Sequence, residues 1–154
     1  MGISRSEVVA GYFDKLSEKL QTGQAREHAY RPAFETLIHA LDSKLQIIND
    51  PSRSAHGNPD FVFLRGDLTA GYAETKDIGV SLDKTEKTSQ MERYFGYSNL
   101  ILTDYLEFRF FRNGVQHGEP ISIGASQGNK LTAQPENFVA YKAASSSSLP
   151  WSSS

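Results

Sequence analysis

Cysteine is absent from the 154 residues, which excludes disulfide frameworks and thiolate metal sites and points to a reducing compartment. No apolar run approaches membrane-spanning length, and the N-terminus lacks the apolar stretch of a signal peptide. The expectation is a soluble cytoplasmic protein with no membrane partner. No excess of one charge sign stands out either, since the formal net charge is −2. That removes a global basic field but leaves room for a locally basic groove. Only four histidines occur, His28, His39, His56 and His117, and they share no spacing for a metal or a catalytic triad. The glycines of "GYAETKDIG" match neither phosphate-binding fingerprint, so a nucleotide site is excluded. There is no internal repeat.

What the chain does contain is ordinary for a globular domain: 38% apolar and 22% charged residues, at a length that buries a real core. After "NFVAYKAA" the composition shifts to "SSSSLPWSSS", which lacks the apolar content to fold. A division follows: residues 1–24 as an N-terminal helix against the core, 25–142 as the main domain and 143–154 as a disordered serine-rich tail. The expectation is a module of a longer protein, or a domain carrying an added tail.

Hydrophobic periodicity orders the elements. Residues 4–20 read as an amphipathic helix with Ser4 and Glu7 at capping-box spacing and Val9, Tyr12, Phe13, Leu16 and Leu20 on one face. Pro32 fits a first helical turn, so the next helix starts there and carries Phe34, Leu37, Ile38, Leu41 and Leu45 as its stripe. "LQII" is a short strand, and Phe61–Leu64 and Thr69–Lys76 are two more, joined by "RGD" and therefore antiparallel. Asp83 and Glu86 have capping spacing, which predicts one helix from about Lys84 to Phe95 with Gly96 as its stop. "NLILT" suits a strand buried on both faces, and "YLEFRFF" alternates up to the hairpin dipeptide "NG", with "PISIG" as the return strand. A helix is predicted to begin near Pro135. The order is helix, three-strand meander, helix, strand, hairpin: an α/β domain around a mixed sheet.

The stretch "GNPDFVFLRGDLTAGYAETKDIG" then carries the chemistry. Alternation puts Glu74 and Lys76 on one face of their strand and Thr75 on the other. Asp60 opens the antiparallel partner near the level where that strand ends, so three ionisable groups converge at one end of a hairpin. Two carboxylates with an intervening backbone carbonyl, that of Thr75, make a hard oxygen site for Mg2+. A lysine beside them orients water or stabilises developing negative charge, and the substrate suggested is a phosphodiester. On the residues alone a second reading stays open: a strand ending in solvated charges, with Asp60 capping a turn.

"NPD…AETK" resembles the signature of the PD-(D/E)xK nuclease superfamily, and the element order resembles its common core. "EHAYRPAFETLI", "GNPDFVF", "GYAETKDIG", "SLDK" and "QMERYFGYSNLILTDYLEFRFFRNG", in this order, look like the N-terminal Mrr-like nuclease domain of the type ISP and type IIG single-chain restriction-modification enzymes. The similarity runs from about Arg26 to Gly114. It implies a restriction-endonuclease-like core and a Mg2+-dependent endonuclease acting on double-stranded DNA. Asp60 and Glu74 would be the metal-binding carboxylates and Lys76 the catalytic lysine. Gln90 and Tyr94 match a "QxxxY" element in which the glutamine approaches the active site, while Tyr94 alone reads as packing on the sheet. Such nucleases often add an acid from the first core helix, and Glu27 is favoured here over Glu35. Arg31, Arg53, His56, Lys84, Lys87 and Arg93 are candidates for a rim that touches DNA phosphates, which positions DNA without reading sequence. Nothing here looks like a methyltransferase motif, a Walker loop or a base-reading helix. Methyltransferase, target-recognition and helicase functions would then belong to other domains of a longer chain. Two other functions stay in play: a nuclease fold that binds DNA or another domain without catalysis, and a nuclease of repair or transposition.

Overall fold

A computed structural model of the chain describes residues 4–52 and 55–138. Arg53, the end of the main segment and the serine-rich tail lie outside the described residues.

Helix α1 spans Arg5–Gln21, and Ser4 caps it through a complete capping box with Glu7. Its apolar face, Val9, Tyr12, Phe13 and Leu16, is buried. After a single 3-10 turn, Glu27–Tyr30, helix α2 runs from Arg31 to Leu41 with Pro32 in its first turn. Phe34, Leu37, Ile38 and Leu41 are its buried face, and Leu45 joins the same core. Strands β1 (Gln46–Asn49), β2 (Phe61–Arg65) and β3 (Leu68–Thr75) form the antiparallel meander, with a bulge between Phe63 and Leu64.

The next segment departs from the single predicted helix. Two short helices stand there, α3 (Leu82–Glu86) and α4 (Ser89–Tyr94). Ser81 caps the first and Thr88 the second, so Asp83 lies within the first turn of α3 instead of capping it. The Thr88 hydroxyl accepts from the Met91 amide, a bond that starts a new helix where a continuous one would have none. This pair crosses over to β4 (Asn99–Thr103), which lies parallel to β3 with Thr75 opposite Thr103. Strand β5 (Glu107–Arg112) pairs antiparallel to β4.

At the "NG" turn both residues take positive φ, +52° at Asn113 and +79° at Gly114, as a two-residue hairpin of primed type requires. The strand returning directly from it is β6 (Val115–Gln116), while the predicted return segment supplies β7 (Ile121–Ser122), pairing further back along β5. A separate hairpin, β8 (Gly124–Gln127) and β9 (Lys130–Ala133), was not expected, and only a 3-10 turn, Pro135–Asn137, stands at Pro135 among the described residues.

The sheet order is β1-β2-β3-β4-β5-β6, with β7 also on β5. On one face α1 and α2 cover Phe61, Phe63, Ala73, Ile101, Phe108 and Phe110. On the other, α3 and α4 cover Tyr72, Leu100, Leu102 and Phe111. Strand β4 is therefore buried on both sides, as its unbroken apolar run predicts. Each fully buried Leu, Ile or Phe contributes about 1.5–3 kcal/mol, so this central strand anchors both layers. The result is a three-layer α/β fold of the restriction-endonuclease-like type. Among the described residues no helix is long and apolar enough to cross a membrane.

Candidate functional site

Strand register builds the site. Because Phe61 pairs with Ala73, the next residues outward, Asp60 and Glu74, meet at the end of the sheet. The Asp60 amide donates to Glu74 Oε1 at 3.2 Å. Asp60 Oδ2 accepts from the Thr75 amide and stands 2.8 Å from the Thr75 hydroxyl. Lys76 Nζ lies 3.2 Å from Glu74 Oε2, and the Lys76 amide donates to the Thr103 carbonyl of the parallel neighbour at 2.8 Å. Asp60, Glu74, Thr75 and Lys76 thus come together as their positions in sequence imply.

The sheet end divides the site by face. Glu74 and Lys76 look toward α3 and α4. Thr75 looks toward α2 and the 3-10 turn, where its hydroxyl also stands 3.0 Å from Glu27 Oε1. With one proton, that hydroxyl serves Glu27 or Asp60 at any moment. Glu27 is placed by its own backbone: its carbonyl accepts from the Tyr105 hydroxyl at 2.8 Å. Of the two candidate helix acids, Glu27 reaches this cluster. Glu35 makes no hydrogen bond or ion pair with it among the described residues.

Arg31 requires a correction. Expected on a phosphate-contacting rim, it is 4% exposed, and its guanidinium lies inside the acid cluster. Nη2 meets Asp60 Oδ1 at 2.8 Å and Glu27 Oε1 at 3.2 Å, while Nη1 meets Asn49 Oδ1 at 2.7 Å and Asp50 Oδ1 at 3.3 Å. Three acids, one on the 3-10 turn and one each beside β1 and β2, gather around one residue and hold inward an arginine that the helix pattern leaves looking exposed.

The electrostatics follow from burial. Glu74 is 4% exposed, and its carboxyl is pushed up to about 7, first by loss of solvent and then by the charge of Asp60, with Lys76 opposing. The Tyr94 hydroxyl is pushed up to about 12 by burial and by the nearby Glu74 and Asp60 charges. It donates to the Asn58 carbonyl at 2.9 Å, and the side chain of Gln90 nearby acts against the upward shift. Gln90 thus stands beside a tyrosine that senses both carboxylates.

Sequence reasoning singled out Tyr94 but missed Tyr97, and with it the hold that the two tyrosines have on the loop ahead of Asp60. Tyr97 donates to the Gly57 carbonyl at 2.8 Å and accepts from the His56 amide at 3.1 Å. Gly57 has φ +103°, and a Cβ there would lie 3.0 Å from Tyr94 Cε1. The available signal was "YFGY" lying opposite "HGNP", which only the folded sheet brings together. Of the proposed rim, the His56 ring packs against Tyr97 at 4.9 Å between centroids. Lys84, Lys87 and Arg93 are exposed around α3 and α4 and make no ion pair among the described residues. Arg53 lies outside them.

Element order and sheet register together define an α/β protein of the restriction-endonuclease-like fold. Among solved structures the chain is similar to a chain of the DrdV–DNA complex determined by cryo-electron microscopy. The two share 21% identity at a TM-score of 0.64, over 76% of this chain and 86% of that one. The likeness is one of fold. No protein-family model matches the sequence, and no curated protein matches it.

Proposed function

We propose that this chain is a Mg2+-dependent endodeoxyribonuclease module of the PD-(D/E)xK type, hydrolysing phosphodiester bonds of double-stranded DNA. The observation that carries the reading is the juxtaposition of Asp60 and Glu74 at one sheet end, with the Lys76 ammonium 3.2 Å from Glu74. Propensity disfavours all three residue types at strand positions, so their convergence asks for a chemical reason.

The donor set fits a hard divalent cation. Asp60, Glu74 and the Thr75 carbonyl offer oxygen only, as Mg2+ prefers. Among the described residues no three His, Asp or Glu side chains form a ready cage. Two carboxylates with open positions suit an ion that keeps several waters and takes a substrate phosphate. Burial and the Asp60 charge hold the Glu74 carboxyl up to about 7, a penalty that a cation there would relieve. When bound, Mg2+ supplies Lewis-acid polarisation of the phosphate and acidifies water.

The chain's own residues do the rest. Lys76, fixed through its amide to Thr103, directs positive charge to the phosphate and orients the attacking water. The water oxygen bonds to phosphorus in line as the bond to the 3′ oxygen breaks. The attacking water gives up a proton to solvent and the 3′ oxygen takes one up from solvent, leaving a 3′ hydroxyl and a 5′ phosphate. Exposed Lys84, Lys87 and Arg93, on the face that Glu74 and Lys76 share, hold the backbone. Sequence choice, methylation and translocation belong, in this reading, to other domains of a longer chain.

One observation favours a second reading, a DNA-binding module without catalysis. Both Asp60 oxygens already have protein partners, Arg31 on one and Thr75 on the other. Supercoiled-plasmid nicking separates the two. The expected result is nicking that requires Mg2+, stops in EDTA and is lost in Asp60→Ala. Nicking that survives Asp60→Ala sinks this site. DNA binding that is retained by a protein with no Mg2+-dependent heat of binding establishes the second reading.

A further inference from the structure

Arg31 is at the centre of the cluster, the reaction above leaves it unused, and its surroundings are unusual. It is the first residue of α2, 4% exposed, with its guanidinium 5.6 Å from the centre of the Phe61 ring. Each terminal nitrogen of the fork serves two partners. Nη1 is tied to the end of β1 through Asn49 and Asp50, and Nη2 to Glu27 and Asp60. The third nitrogen, Nε, is buried with no hydrogen-bond partner among the described residues. An orphaned buried donor on a charged group costs stability, so the placement asks for an explanation.

We infer that Arg31 is the positioning residue of the metal site: its fork fixes the orientation of the Asp60 and Glu27 carboxylates by anchoring both to the edge strand β1. The inference rests on the metal-site reading above. Asp60 is held at two ends, Oδ1 by Arg31 and Oδ2 by the Thr75 amide, so its carboxylate plane is set before any cation arrives. Charge supports the same role. The carboxylates of Glu27, Asp50 and Asp60 stand 3.2, 3.3 and 2.8 Å from the guanidinium of Arg31, which is the cation they share. Without Arg31 the acids repel one another and lose their common geometry. A lysine restores the charge but brings a single nitrogen, which does not span from Asn49 on one side to Asp60 on the other.

The test is Mg2+ titration calorimetry on the full chain as wild type, Asp60→Ala, Arg31→Lys and Asn49→Ala, with urea unfolding of each to show that it is folded. Wild type is expected to bind Mg2+ and Asp60→Ala to lose binding. Arg31→Lys should weaken binding about tenfold or more, as loss of a ligand-orienting partner does. Asn49→Ala removes one anchor of the fork without touching the acids and should weaken binding to a smaller degree. In plasmid nicking, Arg31→Lys should lower kcat at saturating Mg2+ and leave KM for DNA within about twofold, because a buried guanidinium does not meet a backbone phosphate. Wild-type affinity for Mg2+ in both variants overturns the inference, as does a raised KM with unchanged kcat. If Arg31→Lys does not fold, Asn49→Ala decides. Binding absent from wild type, or surviving in Asp60→Ala, overturns the metal site itself and the inference with it. Binding lost in Asp60→Ala but unaltered in the other two overturns the inference alone.

Discussion

Replacing Glu74 by glutamine should make the metal-free protein more stable, and increasingly so as pH rises. Glu74 is 4% exposed, and its carboxyl, ordinarily near 4.5, is pushed up to about 7 by burial first and by Asp60 second. Near pH 4 and below, the group is protonated in the folded and unfolded chains alike, and the substitution changes little. Between the two values the folded protein holds a proton that the unfolded chain has released, so stability falls with rising pH. Above pH 7 the full cost is carried. At about 1.4 kcal/mol for each pH unit between the two values, it amounts to about 3 kcal/mol. The pull of Lys76, 3.2 Å away, is already contained in that balance. Urea unfolding of wild type and Glu74→Gln in EDTA should therefore show the variant ahead by about 1 kcal/mol at pH 5 and about 3 kcal/mol at pH 8. Adding Mg2+ at pH 8 should stabilise wild type and leave the variant unmoved. A difference that stays flat with pH, or a variant less stable at pH 8, would refute the reasoning. The ion pair with Lys76 would then outweigh burial, and the argument that Glu74 awaits a cation would lose its basis.

Three further predictions concern the frame of the fold. Tyr12→Phe removes the buried hydroxyl that donates to the Tyr105 carbonyl at 2.7 Å, and should cost about 1–3 kcal/mol, read as a lower urea midpoint at unchanged slope. Gly57→Ala meets both a φ of +103° and Tyr94 Cε1 at 3.0 Å, so it should cost about 1–3 kcal/mol and reduce Mg2+-dependent nicking by disturbing the approach to Asp60. Gly66→Ala, at φ +62° with nothing within 4 Å of the added Cβ, should cost less and leave nicking unchanged.

The parts of this fold that sequence made legible are those written in local rules. Ser4 with Glu7, Pro32, and Asn113 with Gly114 each fix a boundary through bonds or dihedrals within a few residues. The meeting of Asp60 with Glu74 and Lys76 was legible because a short hairpin leaves few registers. Splitting of the predicted 84–95 helix was also local, and Thr88 carried the signal. It was obscured because Asp83 and Glu86 offered a competing cap pattern in a segment whose apolar spacing stayed helical across the break. Arg31 was of another kind. Its partners come from positions 27, 49, 50 and 60, and no window along the chain contains their convergence. The strand pair β8 and β9 is too short and too polar to announce itself by alternation.

Every strand of the main sheet up to β6 lies beside its neighbours in sequence, and among the described residues the β3–β4 junction alone is parallel and bridged by a long crossover. The meander before it and the hairpin after it can each zip up from local turns, at small loop-closure cost. Joining them is the slow, non-local event. That junction is where the Lys76 amide finds the Thr103 carbonyl, and it brings Tyr105 to the Glu27 backbone from beyond the crossover. Assembly of the chain is thus expected to finish where its chemistry is expected to begin: a half-folded intermediate carries all the charges of the site but has no way to hold them in place.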